Sequence, residues 1–172
     1  LALINEVTNT RGISIIWNIS ESQTWIVTWA NDFFIISEDK MKDYNLEDFC
    51  IPIIRKWYYT RDNLKFTKTD FKKTVLEWKP SYLLEIKWDI KNKNLQEYIN
   101  ILIKEWINKR YKVWTYKPNW YNIPNIWGSK LIFFKRSHIA PKLVYNPSEI
   151  NVTDSWYRVT LKNGKYKEFW IL

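Results

Sequence analysis

Apolar positions recur most regularly just past the middle of the chain. Leu95, Tyr98, Ile99, Leu102, Ile103 and Trp106 fall at i, i+3, i+4, i+7, i+8 and i+11, one continuous stripe that predicts an amphipathic helix over Lys93–Lys109. Asn92 or Asn94 can cap its start, and Lys109 and Arg110 suit the negative end of its dipole. Ahead of it, Tyr82, Leu84, Ile86 and Trp88 alternate with Leu83, Glu85, Lys87 and Asp89, the period of a strand with one apolar face. Beyond it, Tyr111–Tyr116, Lys130–Arg136 and Trp156–Lys162 read as further strands. They are separated by a long aromatic, proline-bearing loop, Lys117–Gly128, and by a connector punctuated by Pro141 and Pro147. Asn163-Gly164 favours a type I′ turn that returns the chain as Lys165–Ile171.

The first 80 residues are patterned differently. Ile13–Ile19 and Thr24–Trp29 are rich in β-formers on either side of the polar Ser20-Glu21-Ser22-Gln23, which predicts a hairpin. Phe33–Ile36 adds a third strand, Glu38–Asp48 reads as a charged loop, and Pro52 breaks what precedes it. Thr69–Trp78 predicts a short helix capped by Thr69 or Asp70, with Phe71, Val75 and Trp78 on one face and Pro80 ending it. The expected organisation is a β-rich extension over residues 1–80 and an α+β core with a C-terminal hairpin over residues 81–172.

Composition narrows the function. With 172 residues, 46% of them hydrophobic, the chain suits one domain, or one domain with an extension. No apolar run approaches the ~18 residues that span a membrane, so no membrane partner is expected. Nothing resembles a cleaved signal peptide. Cys50 and His138 are each the only residue of their kind, which excludes a disulfide framework, a cysteine zinc site and a multi-histidine metal site. No cofactor site is legible. The chain begins at Leu1 and its only methionine is Met41, which fits an unusual start codon or a trimmed terminus alike.

Twelve tryptophans beside three glycines form an unusual pair. Glycine codons are G-rich, and a genome that avoids G should avoid the tryptophan codon UGG as well. UGA read as tryptophan resolves the conflict, as in many mitochondria and in mycoplasma-like bacteria, and the expected address is the mitochondrial matrix. Charge is uneven too. Residues 1–50 carry three basic and eight acidic side chains, whereas residues 104–142 carry nine basic and one acidic. A concentrated basic block is what neutralising a phosphate backbone requires.

Leu84-Glu85-Ile86-Lys87-Trp88-Asp89, the helix after it, Lys112-Val113 and Ile132-Phe133-Phe134-Lys135-Arg136-Ser137-His138-Ile139 together resemble the S-ten family of small-subunit ribosomal proteins. Pro118 and Pro124 stand in a longer version of that family's proline loop. The similarity covers about residues 82–161. It departs at the missing proline before His138, at the missing glycine after the helix and at the second family helix. The resemblance implies a ferredoxin-like core and a structural, non-catalytic place in the small subunit of a mitochondrial ribosome. The implied partners are ribosomal RNA and head proteins of the S-three and S-fourteen families, with lineage-specific proteins meeting the acidic extension.

The basic block points to nucleic acid independently. Lys109, Arg110, Lys112, Lys117, Lys130, Lys135 and Arg136 would meet phosphates, and Trp114, Tyr116, Trp120, Tyr121 and Trp127 would stack on bases, with His138 as a further RNA contact. Two other functions are open: a free-standing nucleic-acid-binding protein of an A/T-rich genome, and a metal-dependent nuclease. The second would use Glu85 and Asp70 to hold Mg²⁺ and Lys87 to stabilise charge.

Overall fold

The computed structural model describes residues 6–7, 9–10, 16–24, 31–60, 63–86, 91–105, 121, 127–136 and 142–162. Two four-stranded sheets carry the fold. In the first, β2 (Ile35–Ile36), β4 (Tyr82–Leu84), β3 (Cys50–Ile54) and β7 (Asn151–Val152) lie in the order β2-β4-β3-β7, with only β3 and β7 parallel. In the second, β1 (Ser20–Thr24), β8 (Trp156–Leu161), β5 (Leu131–Phe134) and β6 (Leu143–Tyr145) lie in the order β1-β8-β5-β6, antiparallel throughout. Three helices exceed a single turn among the described residues: α1 (Glu38–Asp43), α2 (Lys68–Leu76) and α3 (Lys93–Lys104). The expected α+β class holds; the finer ferredoxin-like arrangement is not established by these strand orders.

Most of the α3 stripe packs as its spacing predicts, although Ile103 stays exposed and the helix ends at Lys104, short of the expected Lys109. Leu95, Tyr98, Ile99 and Leu102 are buried in one core with Ile36, Leu83 and Leu84 of the first sheet, Met41 of α1 and Leu46. Each buried Leu or Ile there contributes roughly 1.5–3 kcal/mol, against the few tenths that an exposed helical pair supplies. Packing therefore fixes α3. The Tyr98 hydroxyl donates to the Phe33 carbonyl at 2.8 Å, and its ring meets Tyr44 edge-on at 5.1 Å. A second core gathers Ile54, Phe66 and Phe71 with Ile132, Val144, Val152 and Trp156. Tyr82 packs against both cores, its ring edge-on to Phe71 at 5.6 Å. A smaller cluster of Leu131, Val159 and Leu161 covers the other face of the second sheet.

Several expected elements differ. Of the hairpin expected at 13–29 only residues 16–24 are described, and there Ile16–Ile19 is a helical turn and the polar stretch expected as the turn is β1 itself. Ser20, Ser22 and Thr24 pair with Leu161, Val159 and Tyr157, so partner strand β8 supplies the apolar groups that β1 lacks. Asn31–Phe34 is a helical turn before β2, and the expected loop at 38–48 contains α1, capped by Ser37. Pro52 sits inside β3. It faces Tyr82 of β4, and pairing with β7 begins only at Ile53, so its missing N–H disrupts no ladder on that side. The connector at 141–155 holds two strands, β6 and β7. Strand pairing crosses residue 80 in both sheets, since β4 lies between β2 and β3 and β1 lies on β8.

Helix α2 starts one residue before its expected span, and its cap is neither Thr69 nor Asp70. Thr67 is the cap, and Asp70 is the N3 partner that accepts from the Thr67 amide at 2.8 Å and from its hydroxyl at 2.6 Å. Tyr111–Tyr116, Trp88, Trp106 and the Asn163-Gly164 hairpin lie outside the described residues.

Candidate nucleic-acid interface

Strand β5 and its approach carry the basic and aromatic residues that the structure describes. Ser129 and Asn146, both buried, fix that approach. The Asn146 amide donates to the carbonyls of Ser129 at 2.9 Å and Ile150 at 2.8 Å, while its oxygen accepts from the Ile150 amide at 3.1 Å. The Ser129 hydroxyl lies 3.0 Å from the carbonyls of both Leu131 and Val159, tying the start of β5 to β8. Gly128 precedes it. A Cβ there would stand 1.5 Å from the Glu149 carbonyl oxygen, so only glycine permits this approach.

On this rigid base Trp127 stays 57% exposed, and the Arg158 guanidinium lies over its ring at 4.7 Å. Arg158 also donates to the Gln23 side-chain oxygen of β1 at 2.7 Å. Partial burial lowers Arg158 from the ordinary arginine value, yet a guanidinium remains cationic in any physiological range. At the other end of β5, the Lys135 ammonium stands over the Tyr157 ring at 4.8 Å. Desolvation lowers its pKa, with Asp154 pulling the other way. Arg136 is exposed next to it, and Lys130 stands 4.0 Å from Glu149. These are two separate cation–aromatic pairs at opposite ends of β5, each able to meet phosphates and base faces.

A second group lies on the segment 57–79. Tyr58, Tyr59, Asn63, Asp70, Lys73, Thr74, Glu77 and Lys79 line a cleft of about 400 Å³. Lys79 pairs with Glu77 and stands over the rings of Tyr58 and Tyr59 at 5.3 and 5.5 Å. The Tyr59 hydroxyl donates to the Pro80 carbonyl at 3.1 Å, and burial, first among its causes, raises its pKa.

Of the residues expected to bind nucleic acid, Trp127 and Lys130 lie just before β5 and Lys135 and Arg136 just after it, so the structure sets them at opposite ends of that strand. Tyr121, partly buried, packs against the core of the first sheet. Lys109, Arg110, Lys112, Trp114, Tyr116, Lys117, Trp120 and His138 lie outside the described residues. Sequence reasoning missed Arg158 and Gln23, which strand pairing places on one face of the second sheet, Tyr157, which alternation places on the opposite face, and the whole 57–79 group. The interleaving of Arg55, Lys56, Lys72, Lys73 and Lys79 with Trp57, Tyr58 and Trp78 was the signal available for the latter. The nuclease arrangement fails locally. Asp70 is engaged in the α2 cap, Lys87 lies outside the described residues, and no group of three metal-ligating side chains occurs among the described residues.

Compared with known families, residues 1–171 match one described as the C-terminal domain of the type II methyltransferase M.Eco57I. The chain belongs to that family. A comparison with curated proteins finds no match. Membership of the M.Eco57I C-terminal family overturns the S-ten resemblance, and with it the ribosomal role, the ribosomal and mitochondrial descriptors, the RNA and head-protein partners and the non-enzymatic expectation. The resemblance misled because strand, amphipathic helix, strand and basic loop recur across unrelated α+β folds. A methyl donor does not fit the described residues. The space beside Gly128 is filled by backbone, and of the charged groups lining the 400 Å³ cleft both carboxylates are engaged, Glu77 by Lys79 and Asp70 by the Thr67 cap. No transfer step is therefore derived from them.

Proposed function

We propose that this chain is a DNA-engaging domain of a type II DNA methyltransferase. It grips the duplex while the methyl transfer is carried out by another part of the enzyme. An enzyme that modifies a base inside a duplex must hold the helix firmly enough to extrude the target nucleotide, which costs a few kcal/mol of unstacking. A cationic, aromatic surface on a rigid scaffold supplies that grip. The observation that carries the reading is Arg158 stacked on the exposed Trp127 ring, with Lys130 just before β5 and Lys135 and Arg136 just after it. Guanidinium and indole faces of this kind meet phosphates and bases, and Arg is the side chain that most often reads guanine in the major groove. The family's methyltransferase description agrees with it, as does the net charge of +9.

Mobility shift of duplex DNA by the full chain, across a salt series, tests this. Affinity should fall steeply with salt, and Arg158→Ala should weaken binding and reduce the log–log slope by about one. Absence of duplex binding at low salt would defeat the proposal. The tryptophan excess adds an independent expectation about the gene: most tryptophans should be encoded by UGA.

A further inference from the structure

Trp78 occupies a backbone slot that ordinarily belongs to glycine. It follows the Glu77 cap of α2, its amide donates to the Val75 carbonyl at 2.9 Å, and its φ is 58°. That left-handed conformation ends many helices, and a residue with a Cβ pays about 1–2 kcal/mol to adopt it. Nothing in the fold repays the bulk of an indole here. Trp78 is 72% exposed, and Leu76, two residues earlier, is 76% exposed.

The mount beneath is rigid. The next carbonyl but one, that of Pro80, is held by the Tyr59 hydroxyl. Ser81 is fully buried, and its amide donates to the Ile36 carbonyl at 3.0 Å, anchoring the segment to the first sheet. At the other end of α2 the Thr67–Asp70 box fixes the helix start. An exposed aromatic on a strained, immobile backbone is pre-organised to enter something rather than to move aside.

Charge says what it enters. Between Arg55 and Lys79 the chain carries eight basic and three acidic residues, and Lys72 and Lys73 are exposed on α2. Of the three acids, Asp70 is committed to the cap and Glu77 is paired with Lys79. Trp57 and Tyr58, both exposed, lie in the same segment, and Tyr58 stands under the Lys79 ammonium. An apolar wedge rimmed by lysines matches a polyanion with stacked apolar steps. An acidic or apolar protein surface would satisfy one of these features and not the other.

We propose that Trp78 is a wedge that inserts between base pairs of duplex DNA, with Leu76 beside it and Lys72 and Lys73 on the flanking phosphates. Insertion unstacks one step and bends the duplex, as apolar wedges do at minor-groove sites. This rests on the DNA-binding reading above but names a surface separate from Arg158 and Trp127.

The test uses the full chain and duplexes carrying 2-aminopurine, whose fluorescence rises when its step is unstacked. Wild type should raise the signal. Trp78→Gly should abolish the rise and weaken binding about ten-fold, while Trp78→Phe retains most of both. Because glycine relieves the backbone, Trp78→Gly should also raise the melting temperature by about 2–4 °C. Lys72→Gln with Lys73→Gln should weaken binding and flatten its salt dependence. A Trp78→Gly chain that unstacks DNA like wild type, or that melts lower, overturns the wedge while duplex binding and the Arg158→Ala effect stand. If wild type binds no duplex at all, the DNA reading itself has failed. Tight duplex binding without any fluorescence rise at any step assigns Trp78 to a protein surface and overturns the wedge alone.

Discussion

The carbonyl oxygen of Glu149 stands 1.5 Å from where a Cβ on Gly128 would be, and Glu149 itself has a φ of 51°. The two backbones are locked together at the approach to β5, so the exposed Trp127 ring inherits its position from a turn more than twenty residues later. Gly128→Ala must push that turn away. It should destabilise the chain by about 2–3 kcal/mol, read as a lower urea midpoint at unchanged slope. A midpoint equal to wild type would show that the turn yields freely.

Asn146 is the other half of that lock. Its side chain satisfies two carbonyls and one amide in the interior, and Asn146→Ala leaves all three without it. The expected loss is about 3 kcal/mol. Asn146→Asp keeps the acceptor but removes both donors, so it should fall between wild type and Ala only if the Ile150 amide contact dominates. Urea melts of the three chains decide the order.

The α2 cap titrates. Burial pushes the Asp70 pKa up, but hydrogen bonds from the Thr67 hydroxyl and amide, with Lys73 nearby, outweigh it and hold the carboxyl below its ordinary 3.8. A depressed acid pKa stabilises the fold above the unfolded value, and that contribution is lost as pH falls through the folded one. Stability should therefore decline below about pH 4 with a share that Asp70→Asn removes. Thr67→Ala should cost about 1 kcal/mol at neutral pH. An acid limb identical in Asp70→Asn and wild type would contradict the cap.

Cys50 begins β3 and packs against the first core. Burial, with Glu47 adding to it, pushes its thiol up to about 12. At pH 8 roughly one thiol in ten thousand is then ionised, against about a quarter for a free one. A thiol-specific reagent should label the folded chain slowly and the urea-unfolded chain at once. Equal rates would mean that the thiol is open to solvent.

Elements whose energy is local were readable from the order of residues. Most of the α3 stripe and strands β5 and β8 emerge close to where spacing put them, because a 3.6- or 2-residue period records which side faces a core, whereas α2 ends at Leu76, ahead of the expected stop at Pro80. The basic character of the surface was legible for the same reason. What failed was everything that depended on a partner distant in the chain. Ser20–Thr24 is polar enough to be a turn and becomes a strand only because β8 lies alongside. Pro52 is tolerated in β3 only because β7 pairs one residue later. Arg158 meets Trp127, thirty-one positions away, through the β5–β8 register. Family was misread in the same way: an order of elements is shared by many folds, whereas the match that decides membership spans residues 1–171.

By itself, then, the sequence determined an α+β chain with a strongly apolar helix, a basic surface rich in aromatics and a composition that speaks of its gene. Tertiary structure decided which aromatics face solvent, which cations stand over them, and that Trp78 sits in a glycine's conformation at the end of α2. The physical reason is that periodicity encodes burial along one element, while a contact surface is assembled from residues whose proximity exists only after non-local strand pairing has closed.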